Sequence, residues 1–235
     1  MDRNPTEAFQ SPPTVQEVVL AELRRELLSG DLRPGDLINQ EHVAARLNVS
    51  AIPVREALRF FEGQGLVVYR ARRQYMVPKL SVADLEEIFL LREQLESVAV
   101  TRGVPRLSED DLKNLADRAA EFERLVKSRQ RNNESISIAH REFMFCIFNA
   151  SGLHILVRML NNLWDMLEPY RALFVHRSLV TKAERVDLAA EKHAIVDAAE
   201  RGDVPGVLDV IQRSAKRTLS QLTGTLTEDD GSDPA

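Results

Sequence analysis

The change in hydrophobic period along the chain constrains its fold more than any other feature. From Thr14 to Glu62 the apolar residues recur at helical spacing in three short segments, and from Leu66 to Val77 they read as strands. From Ser81 onward the pattern is helical throughout. A first helix is expected over 14–29, with Val15, Val19, Leu23 and Leu27 on one face at i+4 spacing. It ends at Ser29-Gly30, and Gly30 to Asp36 reads as a loop. A second helix is expected from about Gln40 to Leu47, stopped by Asn48. Ser50 is expected to cap a third, with Pro53 tolerated in its first turn and Arg55 to Glu62 continuing it. LVVY (66–69) and QYMV (74–77) are β-branched and aromatic runs flanking Arg70-Ala71-Arg72-Arg73, which predicts a hairpin with an arginine-loaded tip.

Beyond Pro78 the spacing predicts helices at about 81–103, 108–129, 134–150, 153–177, 181–201 and 203–223. Ser81-x-x-Asp84, Ser108-x-x-Asp111 and Thr181-x-x-Glu184 mark three of their starts with capping-box or near-capping-box signatures, only the last in the full Glu form. The expected fold is therefore mainly α: an N-terminal winged helix-turn-helix over 14–79 and a C-terminal antiparallel six-helix bundle over 80–226. A Pro-rich lead (1–13) and an acidic tail (227–235) read as disordered. The connector at 78–80 is short enough to pass a rotation of the bundle to the head with little slack.

Composition narrows the class. With 44% apolar and 29% charged residues in 235, the chain is globular. No apolar run reaches the roughly 18 residues of a membrane span, and MDRNPTEAFQSPPT lacks a secretory pattern. Cys146 is the sole cysteine, so no internal disulfide forms and a cytoplasmic protein is expected. The net charge of −5 speaks against a nucleic-acid partner, but the charge is uneven. Residues 54–79 hold six basic side chains against two acidic ones, and phosphate affinity follows such local clusters.

A helix fits the major groove while a hairpin tip presses on the neighbouring backbone or minor groove. The residues that would do this carry a resemblance. Gly30-Asp31-Leu32-Arg33-Pro34-Gly35-Asp36-Leu37, Val43-Ala44-x-x-Leu47-x-Val49-Ser50, Pro53-Val54-Arg55-Glu56-Ala57-Leu58-Arg59 and Gly65-Leu66-Val67 resemble the GntR regulator family. Ser81-Val82-x-Asp84-Leu85-x-x-Ile88-x-x-x-Arg92-x-x-Leu95-Glu96 resembles the opening of the all-helical effector domain (FCD-type) of its FadR-like branch. The resemblance implies DNA contacts from Ser50, Arg55 and Arg59, and from Arg70, Arg72 and Arg73 in the wing. Two departures, Ser50-Ala51-Ile52-Pro53 in place of Ser-Arg-Thr/Gly-Pro and Gln74 in place of the wing glycine, point to an unusual operator or a heavier reliance on the wing. Taken alone, Arg55 reads equally as a surface partner of Glu56 or Glu62, and Arg70 as a brace of the hairpin.

The FadR-like branch often holds a divalent metal through one aspartate and three histidines. At the matching positions this chain has His140, Met144, His193 and Ser214. A thioether and a hydroxyl are poor ligands for such a cation, so no cofactor is expected, and His140 and His193 remain as weak candidates for a metal. The alternative is a polar cavity in which His140, Met144, His193 and Ser214 face an effector, although two satisfied core histidines explain the pattern equally well. A carboxylate effector would need a cation, for which Arg92 and Arg171 are candidates, Arg92 being also placed to pair with Glu96 at i+4.

The function expected is a transcriptional regulator, acting as a repressor and homodimer, that binds a double-stranded DNA operator and responds to an organic acid. Rival readings are a helical ligand-binding or interaction protein with a degenerate head, an all-helical regulator lacking a wing, which the hairpin at 66–77 argues against, and an enzyme, either a small all-α metal-dependent one or one using His140, His193 and Cys146 as a nucleophile and base set.

Overall fold

The computed structural model describes residues 13–70, 74–129, 132–178 and 182–230. Helix α1 (Val15–Ser29) starts on Thr14, whose hydroxyl accepts the Glu17 amide while the Glu17 carboxylate accepts the Thr14 amide. This capping box, Thr14-x-x-Glu17, is one the sequence reading passed over. Val19, Leu23 and Leu27 are buried, whereas Val15 is half exposed and outside the stripe. A three-residue strand β1 (Leu37–Asn39) follows, where only loop was expected. Asn39 then caps α2 (Gln40–Leu47) by accepting the Glu41 and His42 amides, and Asn48 closes it at φ 53°, a left-handed turn that asparagine tolerates. Helix α3 (Ala51–Gly63) buries Val54, Ala57, Leu58 and Phe61.

Strands β2 (Val68–Arg70) and β3 (Gln74–Met76) form the expected hairpin. The sheet has three strands in the order β1-β3-β2, all antiparallel, with Tyr75 facing Ile38 on one side and Tyr69 on the other. Ile38, Tyr75 and Val77 close the core made by α1 and α3.

Among the described residues six α-helices follow: α4 (Val82–Gly103), α5 (Glu109–Lys127), α6 (Asn133–Ala150), α7 (His154–Ser178), α8 (Lys182–Glu200) and α9 (Val204–Asp230). The Ser81 and Ser108 boxes both form, with aspartate in the reciprocal position; Thr181 lies outside the described residues. Helix α9 runs to Asp230, four residues into the segment expected to be a disordered tail. Trp164, Phe143, Phe148, Leu115 and Ile195 are fully buried at the bundle centre. Gly103 lets α4 approach α6 closely, since a Cβ there would collide with the Ile147 carbonyl. Among the described residues no helix is long and apolar enough to cross a membrane.

Helix α7 joins the two parts. Asp165 on it takes an ion pair from Arg24 of α1 (2.9 Å) and another from Arg141 of α6 (2.6 Å). Asn162 accepts from the Gln64 amide at 3.2 Å, and Met166 packs against the head core. The Tyr170 hydroxyl donates to the Pro78 carbonyl at 2.9 Å and accepts the Leu80 amide, so one phenol holds both ends of the connector.

Candidate functional site

The outer face of α3 carries the charge. Arg55 and Arg59 lie one turn apart, and their side chains are 47% and 61% exposed. Both lean on Glu56, at 3.6 and 3.7 Å, too loosely to be consumed by it. Ser50 occupies the N-cap position but makes no side-chain cap bond, contrary to the expected capping role, so its exposed hydroxyl is not used by the helix. Ile52, where the pattern departs, is 62% exposed on the same surface. Arg70 ends β2, exposed and opposite Gln74. Arg72 and Arg73 fall outside the described residues.

Inside the bundle, α4, α6, α7, α8 and α9 enclose a cavity of about 50 Å³ that Arg92, His140, Met144, Trp164, Arg171, Lys192 and Ser214 help to line. Five of the six side chains expected to face an effector thus meet there. The sixth, His193, does not: its Nε2 lies 2.8 Å from Glu123 on α5 and its side chain is 45% exposed. The inward stripe of α8 is Ala189, Lys192, Ile195, Val196 and Ala199, one position off the face expected to hold His193, with Val186 and Ala190 outward.

Trp164 organises the cavity. Its indole N–H donates to the Glu96 carboxylate at 2.9 Å, and the same oxygen takes the Arg92 guanidinium at 2.8 Å. Arg92 is therefore in the buried ion pair with Glu96 that its i+4 spacing offered, lying 4.4 Å over the indole. Arg171 approaches the ring at 5.4 Å, and His140 stacks on it at 5.2 Å. Burial, then the charges of Lys192, Arg171 and Arg92, hold the His140 imidazole well below its ordinary pKa, leaving it neutral. Ser214 donates to Glu191 at 3.0 Å, and Arg217 forks onto the same carboxylate.

Lys192 escaped the sequence reading. It is 2% exposed, and its ammonium stands 5.4 and 5.3 Å from the Phe122 and Phe143 rings. No hydrogen bond or ion pair reaches it from the described residues. Burial brings its pKa down to about 8. The available signal was a lysine at i+3 spacing inside the apolar run Ala189-x-x-Lys192-x-x-Ile195.

These residues do not suit a metal. His140 faces three cations, His193 points elsewhere, Ser214 is engaged by Glu191, and the described residues hold no group of three metal-binding side chains. Nor do they form a nucleophile and base: the Cys146 thiol sits beside Asn114 (3.6 Å), away from the cavity, and burial pushes its pKa up.

Comparison with known proteins gives a consistent picture. Residues 15–77 match the gntR family of bacterial regulatory proteins, and residues 87–216 match the FCD domain. The HTH-type transcriptional regulator McbR of Escherichia coli (strain K12) is 27% identical over 202 residues, covering 86% of this chain and 89% of that protein. The HTH-type transcriptional repressor GlaR of the same strain is 22% identical over 173 residues, or 73% and 77% of the two chains. The solved structure of E. coli McbR/YncC superposes with a TM-score of 0.83 at 23% identity, over 92% of this chain and all of that one.

Proposed function

The chain belongs to the GntR family of bacterial transcriptional regulators and carries their FCD domain, and from that premise we propose that it is a cytoplasmic, homodimeric repressor released from its operator by an organic acid. The relatives are transcriptional regulators, which sets the enzyme reading aside. The observation that carries the operator reading is the exposed pair Arg55 and Arg59, tethered only loosely by Glu56. Such guanidiniums exchange a weak surface pair for phosphate or base contacts at little desolvation cost. Ser50 and Arg70, both exposed, and Arg72 and Arg73, outside the described residues, are the further DNA contacts of this reading.

Two-fold operators call for two heads about one helical turn apart, which a symmetric dimer supplies. The exposed Leu90, Leu91 and Val98 of α4 offer apolar area for the contact. The repressor reading takes its direction from GlaR. The effector would occupy the cavity among Arg92, His140, Met144, Arg171 and Ser214. Because Trp164 and Arg171 share α7 with Asp165, Met166 and Tyr170, a ligand that shifts this helix shifts the head.

Operator selection from a random duplex library, followed by affinity measurement with Arg55→Ala, tests the head. Roughly tenfold weaker binding is expected on the scale of one lost contact. Wild-type affinity in the variant would move the reading surface elsewhere, and indifference of the wild-type chain to every duplex at low salt would favour the degenerate-head reading that Ala51, Ile52 and Gln74 suggest.

A further inference from the structure

We propose that the bundle cavity is a metal-independent site for a short monocarboxylate, in which the Lys192 ammonium supplies the positive charge that a divalent ion supplies in metal-holding FadR-like relatives. The inference rests on the effector reading above and deepens it by naming the ligand's class and anchor.

The charges around the cavity set the ligand's sign. Arg92 is neutralised by Glu96 at 2.8 Å, and the Glu191 carboxylate is engaged by Arg217 and Ser214. Arg171 has Glu168 at 3.6 Å, a carboxyl whose two oxygens accept no hydrogen bond and which burial pushes toward its neutral form. Lys192 has ring faces and no acceptor. Two aromatic faces offset only part of the cost of burying an ammonium, which an oxygen anion would meet more fully. The cavity thus holds positive charge in excess, at Lys192 above all, the complement of a carboxylate.

Its volume sets the ligand's size. About 50 Å³ is space for on the order of four water-sized groups, matching a carboxylate with one or two further carbons. Beside Lys192, the neutral His140 can donate to a second oxygen on such an acid, while Met144, Ile195 and Ile211 take its carbon. A dicarboxylate, with two such groups, exceeds that space.

The test is calorimetric titration of the full-length protein, dialysed against EDTA and free of DNA, with acetate, propionate, lactate and glyoxylate. Reading binding without DNA keeps this outcome separate from any failure of operator recognition. At least one acid is expected to bind with submillimolar affinity, unchanged by EDTA. Lys192→Met should weaken it tenfold or more, and His193→Ala, outside the cavity, should leave it alone. In case Lys192→Met does not fold, the carbon-13 signal of the Lys192 ε-methylene in the wild-type protein is followed, and the acid should shift it. Binding by none of the four, equal binding by Lys192→Met, an unmoved Lys192 signal, or binding that requires an added divalent ion would each overturn the proposal.

Discussion

Arginines on α3 and cations around Trp164 are the same chemistry under opposite conditions. Arg55 and Arg59 keep about half their surface in water and share one carboxylate. Arg92 and Lys192 have lost nearly all of theirs, and each is held by a designated neighbour, Glu96 for one and two phenyl rings for the other. Water weakens the first set, so it suits a long polyanion approached through solvent, whose attraction adds over many contacts and fades with salt. Protein surrounds the second set, so the desolvation is complete before any ligand arrives and selection is by size and charge count. The difference teaches that a cation's burial, more than its identity, decides what kind of anion it can read.

The largest expected effect attacks the buried side. Trp164→Ala removes the ring on which Arg92, Arg171 and His140 rest, and should cost about 3–5 kcal/mol in denaturant unfolding. A loss below 1 kcal/mol would mean that the cavity relaxes around the missing ring. Asp165→Ala, which frees Arg24 and Arg141 together, comes next at about 2 kcal/mol, discounted because Arg24 is 40% exposed. Thermal melting should then separate head from bundle, and a single unshifted transition would show that Asp165 does not couple them. Arg55→Ala sharpens the exposed side: log affinity against log salt should lose about one unit of slope, while effector affinity in the same buffers stays nearly flat. Ser81→Ala, at the start of α4, should cost about 1 kcal/mol of stability without altering either recognition.

The head was legible in the sequence because its signals are local. Asn48, Ser50, Pro53 and the two β runs each mark a boundary within a few residues, and helix α3 emerged at nearly its full extent. Strand β1 was not, because Leu37-Ile38-Asn39 is too short to show alternation and earns its state only by pairing with β3, nearly forty residues on. The acidic stretch after 226 looked like a solvated tail, yet it extends α9 by another turn, since Thr-Glu-Asp-Asp carries no breaker before Gly231. In the cavity, His140 and Met144 of α6 and Ser214 of α9 stand where the resemblance implied. His193 was assigned inward because the resemblance aligned it, but the apolar neighbours of α8 turn Lys192 inward instead, and a one-residue step on a helix is a rotation of about 100°. Charge partners across helices, such as Asp165 with Arg24, are separated by 141 positions and leave no trace in a linear pattern.

Tyr170 clasps Pro78 and Leu80 from the far side of the joint. Interchanging heads among relatives is then not a matter of cutting at the connector alone. A grafted head would arrive without the tyrosine's grip unless α7 came with it, and its operator preference would survive while its response to an effector did not. Modularity in this architecture is therefore bounded by the grip that α7 keeps on the head and its connector.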